Sequence, residues 1–428
     1  MSSLISRRLT AAGLVAACCS GVSLRAWAQT GPCPGAPPDC TSLGGDGGHR
    51  VYLTGSTAAG PFIRALGRVL VVQDPPIYLI YQQGRGSCDG VGALLDLPPA
   101  PLAGAGRYYL PDVDPKTECT CNLPITNGPI SVAADIGVSD VYQDSCAAYS
   151  DKQVLPAGVA DFLGPNQVMT FVVPAASSQR LISRDAAHFI YAFGGNSNQV
   201  APWNSQPNIF QRTEASGTQS MIAKAIGVTA SMWLGTSVTG SGDMLNAVTA
   251  ANSNAAAAES TIGILAVDLA DDNRKMGPSK GLVILGYQHT GQSCAYWPDS
   301  TPTAFDKINV RDGHYPIWGP IHFLTNVGGD GRPTNPDVAA VTDYLTGVID
   351  TPVELLRAEI KDAHTVPQCA MKVTRSKEIG PYQPYHPAKP CRCFFEKQNG
   401  AGADCVACSD SMPCAAGQAC NFGYCEAM

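Results

Sequence analysis

The chain has 428 residues, 45% of them hydrophobic, and a formal net charge of −7. Because single hydrophobic cores stop growing at about 250 to 300 residues, this length favours two core-bearing lobes. The acidic charge and the lack of a basic stripe argue against a nucleic-acid-binding protein, since such proteins must neutralise phosphates.

The chain begins with an export signal. Residues 1–28 combine Arg7 and Arg8, an apolar run from Leu9 to Val22 and a cleavage site after Ala28. The apolar run is too short to span a membrane and no later segment is long enough, so we expect no transmembrane helix. The arginine pair leaves both the twin-arginine route and the general secretory route open.

The number of cysteines bears on whether the exported chain is released or anchored to a membrane by a lipid. Of 17 cysteines, 15 remain after cleavage at Ala28, whereas a lipobox-like stretch from Val15 to Cys18 would place a lipid anchor on Cys18 and leave 16 for pairing. We favour simple cleavage with one free thiol, and a lipoprotein is the alternative. Either way we expect a periplasmic or cell-surface protein, in which most thiols form disulfides.

After a Pro/Gly/Cys-rich leader at 29–48, strand and helix patterns alternate along the chain. The predicted order is strand "RVYLTG", helix "PFIRALGRVL", strand "PIYLIYQQ" and helix "DGVGALLD". Residues 97–129 follow neither pattern, so we interpret them as a loop insertion that Cys119 and Cys121 fasten to a distant segment.

The alternation then resumes. It predicts strands at "ISVAADIGVSD", "QVMTFVVPA" and "YPIWGPIHFLT", and helices at "SRDAAHFIYAFG", "NPDVAAVTDYLTGVID" and "PVELLRAEIKDA". A second polar insertion holds Cys294. This rhythm predicts an α/β fold.

The C-terminal residues 390–428 are dense in cysteine and poor in aliphatic side chains. Cys405 and Cys408 have the spacing of a zinc site, but this tail contains no histidine and belongs to an exported chain. We therefore predict a tail held together by disulfides and no metal.

Four loops rich in glycine or hydroxyl residues follow predicted strands, where ligands gather in open α/β sheets. They are 53–62 ("LTGSTAAGPF"), 81–92 ("YQQGRGSCDGVG"), 135–142 ("DIGVSDVY") and 212–218 ("RTEASGT"). In the last loop, a helix cap at Ser216 or Thr218 explains one hydroxyl. It does not explain Arg212, which opposes the positive end of the helix dipole unless an anion lies between them, so an anion site is the second interpretation.

In this order, "GSTAAGP", "YQQGRGS", "GVSD", "FVVPA", "RTEASGT", "TIGIL" and "YPIWGP" resemble motifs of the phosphate-binding proteins of the bacterial ABC-type phosphate transporter. That group has the type II periplasmic binding protein fold, a PBP-like domain. The resemblance covers roughly His49 to Ala363 and implies two α/β lobes joined by two crossover strands. It implies lobe I at 49–172 and 315–365, lobe II at 173–314, a linker at 366–389 and the disulfide-rich tail at 390–428.

The resemblance also implies which residues bind phosphate. Arg212 would supply the positive charge, oriented by Glu214, and Asp140 would accept the proton that phosphate keeps and sulfate lacks. Cys88 departs from the family pattern and is either a disulfide partner or a changed wall of the site. The full set of implied ligands is Thr57, Ala58, Ser87, Asp140, Arg212, Ser216 and Thr218, supported by Ser56, Glu214 and Gly217.

We therefore expect a monomeric solute-binding protein that captures inorganic phosphate, or a related oxyanion, for an ABC permease, with no cofactor and no catalytic residue. One alternative is a surface-attached or sensory protein of the same fold without a permease. The other is an extracellular phosphate-ester enzyme, which is disfavoured because the nucleotide-binding, nucleophile-elbow and zinc-protease motifs are absent and the histidines are scattered.

Overall fold

A computed structural model of the chain describes residues 33–83, 86–124, 131–277, 279–409, 412 and 414–427. The predicted signal peptide, the alternative lipid anchor at Cys18 and the start of the predicted leader lie outside the described residues. Within the described part, no helix is both long enough and apolar enough to cross a membrane.

The described residues form seventeen strands and eleven α-helices in alternation. The strands are β1 (His49–Gly55), β2 (Ile77–Gln82), β3 (Gly104–Tyr108), β4 (Cys119–Leu123), β5 (Ile136–Ser139), β6 (Val159–Pro174), β7 (Leu181–Ser183), β8 (Phe210–Gln211), β9 (Thr236–Ser237), β10 (Gly263–Ala266), β11 (Leu282–Ile284), β12 (Gly286–Gln288), β13 (Trp318–Asn326), β14 (Val373–Thr374), β15 (Gln383–Pro384), β16 (Gln418–Asn421) and β17 (Tyr424–Ala427). The helices are α1 (Gly60–Leu70), α2 (Ser87–Leu95), α3 (Arg184–Phe193), α4 (Gly217–Ile226), α5 (Ser241–Ala250), α6 (Ala255–Ser260), α7 (Val267–Asn273), α8 (Ile308–Arg311), α9 (Pro336–Thr346), α10 (Val353–Lys361) and α11 (Arg392–Gln398).

The main sheet has nine strands in the order β10-β6-β13-β5-β1-β2-β3-β4, with β11 also paired to β6. Strands β1, β2 and β5 run parallel, so the loops that follow them leave the sheet at one edge. Strand β13 inserts antiparallel between β5 and β6. The predicted α/β class is confirmed.

The longest strand, β6, belongs to both halves of the sheet. Residues 159–163 and 166–168 pair with β13 around a bulge, whereas Met169 to Val172 pair with β10 and Val172 to Pro174 pair with β11. The segment before β13 crosses beside it, since the Met169 N–H donates to the carbonyl of Ile317. One apolar core packs mainly on the β10 and β11 side of this crossing and reaches across it to Val91 and Val141, while a second packs around β1, β2 and α1. This arrangement agrees with the predicted two lobes joined by two crossover strands. The exact lobe boundaries given above stay predictions.

The interpretation of 97–129 as a loop insertion is wrong in part. This segment contains β3 and β4, which pair antiparallel and extend the edge of the sheet beyond β2. Their sequences, "GAGRY" and "CTCNL", are too small and polar to show an apolar alternation. Two disulfides, Cys33–Cys119 and Cys40–Cys121, hold these strands to the N-terminal leader. The predicted attachment of Cys119 and Cys121 to a distant segment is therefore confirmed.

The remaining disulfides settle the other cysteine questions. Cys88 pairs with Cys146, so it is a disulfide partner rather than a thiol in the wall of the site. Cys405 and Cys408 are each in a disulfide, which excludes the zinc interpretation, and Cys294 is a free, exposed thiol. The C-terminal disulfides are Cys369–Cys391, Cys393–Cys405, Cys408–Cys420 and Cys414–Cys425.

Candidate anion-binding site

The loops after β1, β2 and β5 meet the start of α4 at the edge of the main sheet. Gly217 fits tightly there, because a Cβ at this position would lie 2.2 Å from the Ser87 hydroxyl oxygen and 2.9 Å from the Asp140 Cβ. The Cys88 N–H donates to the carbonyl of Ala215 at 3.1 Å. The structure therefore brings together residues that lie far apart in the sequence, and it does so across the two lobes.

Asp140 lies at the centre of this junction and is only 2% exposed. One carboxylate oxygen, Oδ2, accepts hydrogen bonds from the Ser56 hydroxyl at 2.6 Å and the Ser87 hydroxyl at 3.1 Å. The other oxygen, Oδ1, is buried without a partner among the described residues. Burial raises the pKa of Asp140, while the two serines and the positive charge of Arg212 oppose that rise.

The loop after β1 is organised by Ser56. Its hydroxyl donates to Asp140 and accepts from the N–H groups of Ala58 and Ala59, at 3.1 and 3.2 Å. Ser56, predicted as a supporting residue, therefore touches the central carboxylate directly. The Ala58 N–H, predicted to bind the anion, already has the Ser56 oxygen as its acceptor.

Arg212 is 3% exposed and its guanidinium is held by the segment before α5. Its Nη1 donates to the Ser241 hydroxyl at 2.9 Å, and its Nε and Nη2 donate to the carbonyl of Thr239 at 3.2 and 3.0 Å. The Ser241 hydroxyl also lies 3.1 Å from the Thr57 hydroxyl. Ser241 thus connects two predicted ligands from different loops, Thr57 and Arg212.

The predicted pairing of Glu214 with Arg212 is not found. Glu214 is exposed in the turn before α4, and within the described residues the guanidinium contacts Thr239 and Ser241 instead. The turn directs Glu214 to solvent, whereas Arg212 lies inside the site. The orienting role assigned to Glu214 therefore belongs to the carbonyl of Thr239 and the hydroxyl of Ser241.

Ser216 is the N-cap of α4 and accepts from the Gln219 N–H at 3.4 Å, which confirms the capping interpretation. Ser216 and Thr218 are both buried. Capping leaves other N–H groups of the first turn free to bind an anion, so the two interpretations of this stretch are compatible.

Sequence reasoning missed a second buried acid, Asp268, which follows β10 at the start of α7. Burial, with a smaller contribution from the charge of Asp140, raises the pKa of Asp268 to about 7. Its Oδ1 has no partner among the described residues, and its charge also acts on Arg212. Nothing in "LAVDLA" marks Asp268 in the sequence, because a helix start is an ordinary place for aspartate.

The histidines have separate neighbours, as expected for packed rather than catalytic residues. His322 on β13 lies 2.7 Å from Asp161, which raises its pKa although burial alone lowers it. The Nδ1 atom of His188 lies 3.0 Å from the carbonyl of Ile226. His289 contacts the Tyr287 hydroxyl and His314 stacks on Tyr296.

No protein-family model and no curated protein matches the chain. Among solved structures, it is similar to a putative phosphate ABC transporter substrate-binding protein with bound phosphate from Clostridium perfringens, at 13% identity over 74% of this chain and 99% of that one, with a TM-score of 0.48. An ABC-type phosphate transport receptor from Vibrio cholerae is similar at 15% identity over 74% and 99%, with a TM-score of 0.45. The regulatory domain of OxyR2 from Vibrio vulnificus is similar at 8% identity over 70% and 95%, with a TM-score of 0.36. The fold assignment rests on the strand order and the crossing strands described above.

Proposed function

We propose that the chain is an exported solute-binding protein that captures inorganic phosphate, or a related protonated oxyanion, in the cleft between its two lobes. The observation that carries this proposal is Asp140, whose Oδ1 atom is buried without a donor among the described residues, within reach of the charge of the buried Arg212. A buried acceptor without a donor costs about 1 to 3 kcal/mol, so the site is incomplete without a ligand that brings a proton.

The charges of the site favour an anion that is partly protonated. Arg212 and the first turn of α4 attract negative charge, whereas Asp140 and Asp268 repel it. Phosphate and arsenate keep a proton near neutral pH and can donate it to Asp140. Sulfate has no proton to donate, so one of its negatively charged oxygens would face the Asp140 carboxylate without a hydrogen bond between them.

The contact between the lobes supports capture by closure. Asp140, Arg212, Ser216 and Thr218 are all buried, and the Cys88 N–H bonds to Ala215 across the junction. A ligand can reach them only if the lobes separate, so we propose a hinge at the two crossing strands.

Calorimetric titration of the exported chain with phosphate, arsenate and sulfate tests the proposal. We expect one site that binds phosphate and arsenate more tightly than sulfate, and no hydrolysis of phosphate esters. No heat and no thermal shift with any of the three anions would overturn the proposal.

We further propose that the protein acts as a monomer and delivers phosphate to an ABC permease. Growth on limiting phosphate after deletion of the gene would separate this role from that of a sensory or surface-attached protein. Normal phosphate uptake in the deletion strain would favour the latter.

A further inference from the structure

A cavity of about 640 Å³ lies between lobe I and the C-terminal segment, and it shares no lining residue with the anion site. Helices α1, α9 and α10 form one side, and residues near β15 and in the tail form the other. The cavity is within the range of about 300 to 1,000 Å³ that is usual for small-molecule sites. Its aromatic walls are Phe62, Phe162, Tyr344, Tyr385 and Phe422.

The lining also contains a buried acid, Glu359 on α10, which is 7% exposed. Within the described part of the chain, its carboxylate has neither a hydrogen bond nor an ion pair, and burial alone raises its pKa to about 8. Nothing in the anion site uses this group. A carboxyl in such a position is costly unless a partner reaches it.

The other charged groups around the cavity are already paired. Asp161 lies 2.7 Å from the His322 Nδ1, and Asp350 lies 2.9 Å from the Lys389 Nζ. When these pairs are set aside, Glu359 is the acidic side chain of the lining that has no partner among the described residues. The negative charge that Glu359 would gain on ionisation therefore has no counter-charge in the cavity, and a cation that binds beside it would favour the ionised form.

We propose that this cavity is a second ligand site, which binds an amphipathic organic cation with its ammonium group against Glu359 and its hydrocarbon body on the aromatic walls. A cation is the partner that a buried carboxylate needs, and aromatic faces attract cations as well. An organic anion would bring negative charge into a cavity that already disfavours ionisation of Glu359, and a neutral ligand would offer the ionised carboxylate no counter-charge. The C-terminal segment forms one wall through Tyr385 and Phe422, anchored by the Cys369–Cys391 disulfide.

Calorimetric titration of the exported chain with 2-phenylethylammonium, 3-phenylpropanol and 3-phenylpropionate tests this assignment. We expect the ammonium compound to bind more tightly than the neutral alcohol, and the carboxylate not to bind. Because pairing stabilises ionised Glu359, binding near pH 7 should release protons, seen as heats that depend on the buffer. Equal binding of the ammonium compound and the alcohol, or no binding of either, would overturn the proposal.

A pair of variants on one helix locates the site. Glu359→Gln should weaken binding of the ammonium compound about tenfold or more and abolish the proton release. Glu354→Gln, at an exposed position on α10, is the matched control and should change neither. Phosphate titrations of the same samples should be unaffected, so failure here is distinguishable from failure of the proposed phosphate site. If Glu359→Gln does not fold, the comparison of the three compounds on the unaltered chain still decides.

Discussion

The substitution Asp140→Asn tests the proposed selectivity directly. In the native protein, Oδ2 is held by the Ser56 and Ser87 hydroxyls, whereas Oδ1 is buried without a partner among the described residues. An asparagine can keep its oxygen on the two serines and present its NH₂ group in place of Oδ1. The change therefore converts an acceptor that needs a proton into a donor that does not.

The size of the effect follows from the burial of Asp140. A like-charge contact in a desolvated site costs several kcal/mol, and this repulsion acts on sulfate but not on protonated phosphate. The added hydrogen bond to a charged group is worth about 1.5 to 3 kcal/mol, or roughly ten- to a hundredfold in affinity, and the lost repulsion adds to it, so the sulfate affinity should rise by at least about tenfold. Phosphate exchanges one good hydrogen bond for another, so its affinity should change less.

The measurement is the ratio of phosphate to sulfate affinity in both proteins, by calorimetry at fixed pH and ionic strength. Asp46→Asn, at an exposed position in the leader, is the control and should leave the ratio unchanged. A ratio that stays the same in Asp140→Asn would show that Asp140 does not select the anion, and the reasoning from its unpaired oxygen would fail.

Three further outcomes are expected. Arg212→Ala should weaken phosphate binding at least about tenfold while the protein stays folded. Unchanged affinity would mean that "RTEASGT" caps a helix and does not bind the anion. Gly217→Ala places a Cβ 2.2 Å from the Ser87 hydroxyl oxygen, so small-angle scattering should show the native protein becoming more compact with phosphate and the variant remaining open. Identical native profiles with and without saturating phosphate would contradict the hinge. The pKa of Asp268 is raised to about 7 in the folded state, so its contribution to stability is lost as the pH rises through 7. Asp268→Asn should therefore raise the melting temperature at pH 8 more than at pH 5, and equal gains at both would contradict the burial argument.

The main sheet was predictable because its strands are continuous apolar runs. "QVMTFVVPA" is buried on both faces and "RVYLTG" buries Val51 and Leu53 on one face, and helices separate most of the strands. Strands β3 and β4 were not predictable, because glycine, cysteine and polar residues interrupt their apolar pattern and because the cysteine pairing that fixes them cannot be deduced from sequence.

The candidate site was predictable to the level of loops but not of individual contacts. The glycines and hydroxyls identified where backbones approach closely, as at Gly217. They could not show that Ser241 and Thr239 hold Arg212, because these residues come from a fifth segment with the same ordinary composition. Glu214 was misassigned because adjacency in sequence does not determine which way a turn directs its side chains.

In the proposed function, closure and selectivity depend on the same contact. The absence of a side chain at Gly217 lets α4 approach Ser87, and Ser87 in turn donates to Asp140. The contact that brings the lobes together therefore also fixes the carboxylate and removes it from water. In the open form, water would satisfy Oδ1, and an unprotonated anion would meet a solvated carboxylate at little cost. When the lobes close around sulfate, the Asp140 carboxylate loses its water and faces an anion that has no proton to donate, which costs free energy. Discrimination against sulfate should therefore arise in the closing step rather than in the first encounter.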